Sequence, residues 1–269
     1  MKELNTQRDV WQVLREYTPA RIAQGRVGVS LPTRANLLFQ LDHARARDAV
    51  HCPFNAAQFA RDYRAKFSAE QAALILQSEA ADRAQYLQRP DLGRRLADAQ
   101  WHKLRQTAND AQPFDIAIVV ADGLSSAAVE HHALALLEFI VPAMHAQNLR
   151  LAPLSIATQA RVALGDDIGE ALKARLVVVL IGERPGLSSP DSLGAYITYA
   201  PQRACTDAQR NCISNIRNGG LSYQQACDTA MYLITTALKK SLTGVGLKDE
   251  SVLLEGQTTK HIPFFRSSK

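Results

Sequence analysis

Val177–Gly186 reads VVVLIGERPG, an apolar run that stops abruptly in Gly-Glu-Arg-Pro-Gly. With Leu176, six apolar residues stand in a row as far as Ile181. A half-exposed strand would alternate apolar with polar side chains, so this run predicts a central strand covered on both faces. Charge then falls at the strand's end. Ligands of open α/β sheets gather outside the carboxyl ends of the strands, which makes Glu183 and Arg184 candidate ligand contacts. A plain loop salt bridge is the competing reading of that pair.

Neighbouring segments extend the pattern. Asp115–Ala121 (DIAIVVA) predicts a second buried strand, and Leu149–Thr158 and Ala195–Ala200 two more. Between them, Ser125–Gln147 carries Leu134, Leu137, Ile140, Val141 and Met144 at helical spacing. A shorter helix is expected near Asp166–Ala174, and Ser222–Leu242 closes the series behind a Ser222-x-x-Gln225 capping box. Parallel neighbours need crossovers, nearly always right-handed, so strand and helix in alternation predict a small doubly wound, mostly parallel sheet.

The residues before Phe114 read differently. Lys2–Tyr17, Thr33–Val50, Asn55–Phe67 and Asp91–Ala108 are helical candidates, with Asn55 as a cap and Pro90 ahead of the last. Arg21–Pro32 (RIAQGRVGVSLP) reads as an extended basic loop. Three regions follow: 1–110, helical with a basic loop; 111–242, α/β; and 243–269, a loosely ordered tail.

At 269 residues with 46% hydrophobic and 21% charged side chains, the composition is that of an ordinary globular chain. The net charge of +5 comes from scattered basic residues interleaved with acids, which predicts a solvated surface and no nucleic-acid partner. Cys52, Cys205, Cys212 and Cys227 form no C-x-x-C pair, and reduced thiols in the cytoplasm are the expectation. No apolar run reaches the length of a membrane span, and the opening residues lack the apolar core of a secretion signal.

Chemistry is sparse. Asp122-Gly-Leu-Ser-Ser126 joins a strand to a helix, where free N–H groups attract anions, although a simple helix cap explains the same residues. Neither G-x-G-x-x-G nor a phosphate-binding G-x-x-x-x-G-K-[ST] occurs. His51–Cys52 and His131–His132 lack further zinc ligands in sequence, and adjacent helical positions do not face one ligand together. There is no G-x-S-x-G elbow and no paired carboxylates on an identifiable face. Arg210–Gly220 (RNCISNIRNGG) is rich in hydrogen-bonding side chains and reads as a binding loop.

Six motifs stand in order: Gly25-Arg-Val-Gly28 with Pro32-Thr-Arg34, Asp42-His-Ala-Arg-Ala-Arg-Asp48, Arg89-Pro-Asp-Leu-Gly-Arg-Arg95, Asp122-Gly-Leu-Ser125, Gly182-Glu-Arg-Pro-Gly186 and Cys212-Ile-Ser-Asn-Ile216. Together, from about residue 20 to 242, they resemble the small (light) subunit of ethanolamine ammonia-lyase. The resemblance implies a Rossmann-like α/β domain beside helical N-terminal segments, with adenosylcobalamin held between this chain and a large barrel subunit that carries the active site. It also implies conversion of ethanolamine to acetaldehyde and ammonia by the complex. Carried over by motif, the family's cobalamin contacts fall on Val162, Glu183 and Cys212, and no catalytic residue or metal ligand is implied on this chain. Ala160 stands where family members often have Gly before the Arg-Val pair.

Val162 would pack on apolar ring edges, Glu183 would accept from side-chain amides, and Cys212 would allow close contact without bulk. The sequence has no Asp-x-His-x-x-Gly motif, so a base-on cofactor that keeps its dimethylbenzimidazole is expected. Two departures from the family stand out. The short N-terminal segment argues against packaging in a bacterial microcompartment, and the segment beyond Thr243, with His261–Phe265, exceeds the usual ending. Rival readings are a stand-alone α/β protein binding a nucleotide-like ligand, and a basic RNA-binding factor.

Overall fold

The computed structural model describes residues 9–67, 73–109, 113–203 and 205–249. Six strands build one sheet: β1 (Ala73–Gln77), β2 (Phe114–Ala121), β3 (Leu154–Thr158), β4 (Ala174–Gly182), β5 (Leu193–Tyr199) and β6 (Arg210–Ile216). Their spatial order is β1-β3-β2-β4-β5-β6. The first four run parallel, whereas β5 pairs antiparallel with both β4 and β6. The sheet is therefore mixed, and the expectation of a doubly wound, mostly parallel sheet is corrected at this edge. The reason is local: residues 183–192 turn the chain straight back beside β4, with no crossover helix to restore a parallel course.

Central burial follows the pleat. Ile116, Ile118 and Val120 of β2 and Leu176, Val178 and Leu180 of β4 enter one core cluster. Their alternates, Ala117, Val119, Ala121, Val177, Val179 and Ile181, enter another on the opposite face. The first face is covered by α2 (Ala56–Phe67), α6 (Leu134–Ala146) and α8 (Tyr223–Lys240). The second is covered by α4 (Asp98–Asn109) and α7 (Leu164–Ala171). α6 continues from α5 (Ser126–Ala128) through a π-helical turn at Val129–Ala133. Among the described residues, Ser126–Ala146 is the one helix long and apolar enough to cross a membrane, and here its apolar face packs on the sheet and α8.

Region 1–110 holds α1 (Thr33–His51), α2, α3 (Arg83–Gln88) and α4, but it also supplies β1, a strand not expected there. The single helix expected over Asp91–Ala108 is broken. Leu92–Arg94 form a 3-10 turn, and Leu96 leaves the helix because its N–H donates to the Asp167 carboxylate at 3.0 Å, with its side chain fully buried. Arg210–Ile216, read as part of a loop, is β6. The region beyond Thr243 is packed at its start: Leu247 is buried, and its carbonyl accepts from Asn211 Nδ2 at 2.8 Å. His261–Phe265 lies outside the described residues.

Candidate functional site at the carboxyl edge of the sheet

Adjacent strands β2 and β4 send their chains in opposite directions. The path after β2 leads to β3 on one side, and the path after β4 leads to β5 on the other. Such a divergence opens a crevice at the carboxyl edge. A pocket of about 450 Å³ lies there, lined by Tyr86, Gly123, Leu124, Arg161, Val162, Ile181, Gly182, Glu183, Arg184 and Tyr196.

Two glycines let the strand ends meet. Gly123 has φ +59, and a Cβ there would lie 2.1 Å from the Gly182 carbonyl oxygen; a Cβ on Gly182 would lie 2.0 Å from that of Ser125. The turn at Asp122–Ser126, read either as an anion-binding turn or as a simple helix cap, is committed to structure. Buried Asp122 accepts from the N–H groups of Gln159 and Ala160, both at 2.9 Å, and from Arg83 Nη1 at 3.2 Å. Burial pushes the Asp122 carboxyl pKa up, while those donors favour its charged form. Ser125 caps the helix through the Ala128 N–H and donates to the Pro190 carbonyl at 2.8 Å.

Asp122 thus fixes the loop that carries Val162. Gln159, at φ 55, takes a left-handed conformation uncommon for a residue with a side chain, and its N–H bond to Asp122 holds it there. Below it, the fully buried Tyr86 ring lies between Arg83 and Arg161, whose guanidinium carbons are 4.8 and 4.4 Å from its centroid. Tyr86 donates its hydroxyl to the Ala160 carbonyl at 3.1 Å, and burial raises its pKa. Arg161 Nε is buried without a hydrogen-bond partner among the described residues.

Glu183 stands at the opposite wall. Its N–H donates to the Ser192 carbonyl at 2.9 Å, and its Oε2 accepts from Ser192 Oγ at 2.5 Å and from the Asn215 N–H at 3.2 Å. Both of these bonds go to Oε2. Cys212 pairs across the strands with Tyr196. Desolvation by surrounding protein dominates and raises the Cys212 thiol pKa, against the smaller favourable effect of the neighbouring Tyr196 hydroxyl on the thiolate. The thiol has no nucleophile's activation, although the residue is exposed.

Of the three expected cofactor contacts, Val162 and Glu183 line one pocket, whereas Cys212 is not among its lining residues and stands beside Tyr196, which is. Tyr86 and Tyr196 were not singled out by sequence and no motif marks them, and Arg161 entered only as the neighbour of Val162 in the Arg-Val pair. A larger groove of about 710 Å³ lies between residues 9–25 and α1. Its Arg21 is neutralised by Asp42 at 2.6 Å.

Fold and site together define an α/β chain with a ligand crevice where strands diverge at the carboxyl edge of a mixed sheet. The model of the ethanolamine ammonia-lyase light chain (EutC) matches residues 8–248. The ethanolamine ammonia-lyase small subunit of Xanthomonas campestris pv. campestris is 55% identical over 247 residues, 91% of this chain and 89% of that protein. Its counterpart in Azotobacter vinelandii is 54% identical over 242 residues, 90% and 88% of the two chains, and that of Pseudomonas paraeruginosa 53% over 254 residues, 93% and 92%. The chain belongs to the ethanolamine ammonia-lyase small-subunit family.

Proposed function

We propose that this chain works as the small subunit of an adenosylcobalamin-dependent ethanolamine ammonia-lyase, with a large barrel subunit as its partner. In this reading it helps to clamp the cofactor at the subunit interface, and conversion of ethanolamine to acetaldehyde and ammonia occurs mainly on the partner. The observation that carries the proposal is the convergence of Val162 and Glu183 on one pocket, with Cys212 the cross-strand neighbour of Tyr196 in its wall. All three positions fall on the family motifs of the sequence.

The residues fit the cofactor. Val162, Ile181, Arg161 and Glu183 around the pocket of about 450 Å³ are the residues that would hold a margin of the cofactor. Glu183 would accept from a side-chain amide, Arg161 would offer its unpartnered Nε–H, and Val162 and Ile181 would pack on apolar margin. Cys212 and Tyr196 would support the far side of that margin. Gly182 leaves no side chain in the way. When bound, the cofactor supplies the radical through its cobalt–carbon bond, and the protein supplies position and exclusion of water. We hold that dimethylbenzimidazole stays as lower ligand, because the sequence has no Asp-x-His-x-x-Gly motif. A cytoplasmic setting accords with four free cysteines.

The test is Glu183→Ala in the complex with the large subunit. Loss of a hydrogen bond to a charged group should weaken adenosylcobalamin binding roughly tenfold, raise its apparent KM and change kcat less. Unchanged cofactor binding would refute the clamp. Ammonia release should require both chains, and release by the large chain alone at the paired rate would refute the partnership.

A further inference from the structure

His131, His132 and Asp191 come together although adjacent histidines on an α-helix would diverge. The wider π-helical turn at Val129–Ala133 brings both rings towards the end of the β4–β5 loop. His132 Nε2 lies 3.4 Å from Asp191 Oδ2, and His131 Nδ1 lies 3.5 Å from the same oxygen. These separations are long for N–H···O bonds, which centre near about 2.9–3.0 Å. They equal the edge of a tetrahedron, about 3.4 Å, around an ion with ligands about 2.1 Å away. All three ligand atoms lie within 4.8 Å of one another, and half-exposed His131 can close the remaining gap by rotating.

From this geometry we infer a divalent transition-metal site of the zinc class, formed by His131 Nδ1, His132 Nε2 and Asp191 Oδ2, with water in the fourth position.

An independent observation points the same way. His132 is 2% exposed, and its Nε2 is buried without a hydrogen-bond partner. Its Nδ1 lies 2.8 Å from the Tyr223 hydroxyl. With Nδ1–H donating to Tyr223, the Nε2 lone pair is left for a metal, the arrangement by which outer partners orient ligating histidines. Two imidazoles and one carboxylate suit zinc-class ions better than magnesium or calcium, which prefer oxygen throughout. Asp191 immediately precedes Ser192, whose hydroxyl holds Glu183. A bound ion would therefore tether the β4–β5 loop to the long helix and brace the wall of the crevice. This inference does not depend on the cofactor reading.

The test titrates zinc into the full-length, tag-free chain, alone or in its cofactor-free complex, by calorimetry, and follows cobalt(II) by visible absorption. One equivalent should bind in the low-micromolar range or tighter, with intense tetrahedral cobalt bands and no thiolate charge transfer. His131→Ala and Asp191→Asn should each weaken binding about tenfold or more, and Tyr223→Phe by about tenfold. His131 is exposed, so its variant should keep the wild-type circular dichroism and still lose metal. Binding that survives both ligand substitutions, a thiolate signature, or the lack of one-equivalent binding would overturn the site.

Discussion

Gly182 leaves almost no room at the carboxyl edge, since a methyl group there would also lie 2.7 Å from the Asp122 carbonyl oxygen. Backbone surrounds it, and backbone cannot rotate aside as a side chain can. Gly182→Ala should therefore destabilise the fold by about 1–3 kcal/mol or more, as overpacking does, measured by denaturant titration. Wild-type stability would show that the strand ends separate freely. Tyr86→Phe isolates a different term, because it deletes only the hydroxyl that reaches Ala160. A cost of about 1 kcal/mol is expected, with cobalamin affinity in the complex falling because the Val162 loop loses an anchor. At this scale the sequence was legible where motif and geometry coincide, at Val162 and Glu183. Tyr86 escaped notice, and Arg161 was seen only as part of the Arg-Val pair, because their stacking depends on two segments meeting after folding.

The elements repeat this division. Unbroken apolar runs marked β2 and β4, helical spacing marked the long helix, and the Ser222–Gln225 capping box is present at the start of α8 as read. Ser222→Ala should cost about 1 kcal/mol of stability, readable in the thermal midpoint. β1 escaped because ALILQ is short, lies at the sheet edge and leaves Ile75 half exposed, so it shows neither alternation nor a long apolar run. β6 was taken for a loop since its Asn, Ser and Arg side chains read as hydrogen-bonding groups, and only Ile213 and Ile216 supply the apolar face that joins the core. Beneath β6, buried Arg210 bonds buried Asp166 of α7 and also reaches Asp207 at 2.7 Å.

Desolvation raises the Asp166 pKa from 3.8 to about 6 despite the Arg210 bond. The native state thus holds this proton more tightly than the unfolded chain. Its contribution to stability is full below about pH 4 and is lost as pH rises through about 6. The stability difference between wild type and Asp166→Asn should therefore shift against wild type between pH 4 and pH 6 and level off above. A difference independent of pH would show that the Asp166 pKa is the same in the folded and unfolded chain.

Across the whole molecule, apolar exposure is concentrated early in the chain. Trp11, Val29, Leu31, Leu37, Leu38, Phe39 and Leu41 are all exposed, and five of these are leucine or phenylalanine of α1 or its approach. A contiguous run of this kind is typical of a surface that another subunit covers. Leu38→Glu should leave the stability of the isolated chain within about 0.5 kcal/mol of wild type yet reduce co-purification with the large subunit. Equal recovery of the complex would place the interface elsewhere. Sequence composition could not show this, because an apolar helical face bound for a partner and one bound for the chain's own core have the same spacing.

The π-helical turn sets the rotational phase of everything after it. One α-helical residue advances the chain by about 100°, and the wide turn absorbs an offset between two surfaces that must both fit. Upstream, Ser126 bonds the Cys52 carbonyl at 2.6 Å and Ser125 the Pro190 carbonyl; downstream, Leu136, Leu137, Ile140 and Met144 fill the core. A deletion of one residue within Val129–Ala133 would return the helix to regular winding with both surfaces still nearly in phase, because four α-helical residues turn the chain about as far as the five of the wide turn. What such a deletion would lose is the pairing of His131 and His132 over Asp191, so this stretch should tolerate shortening in its fold and lose only that cluster.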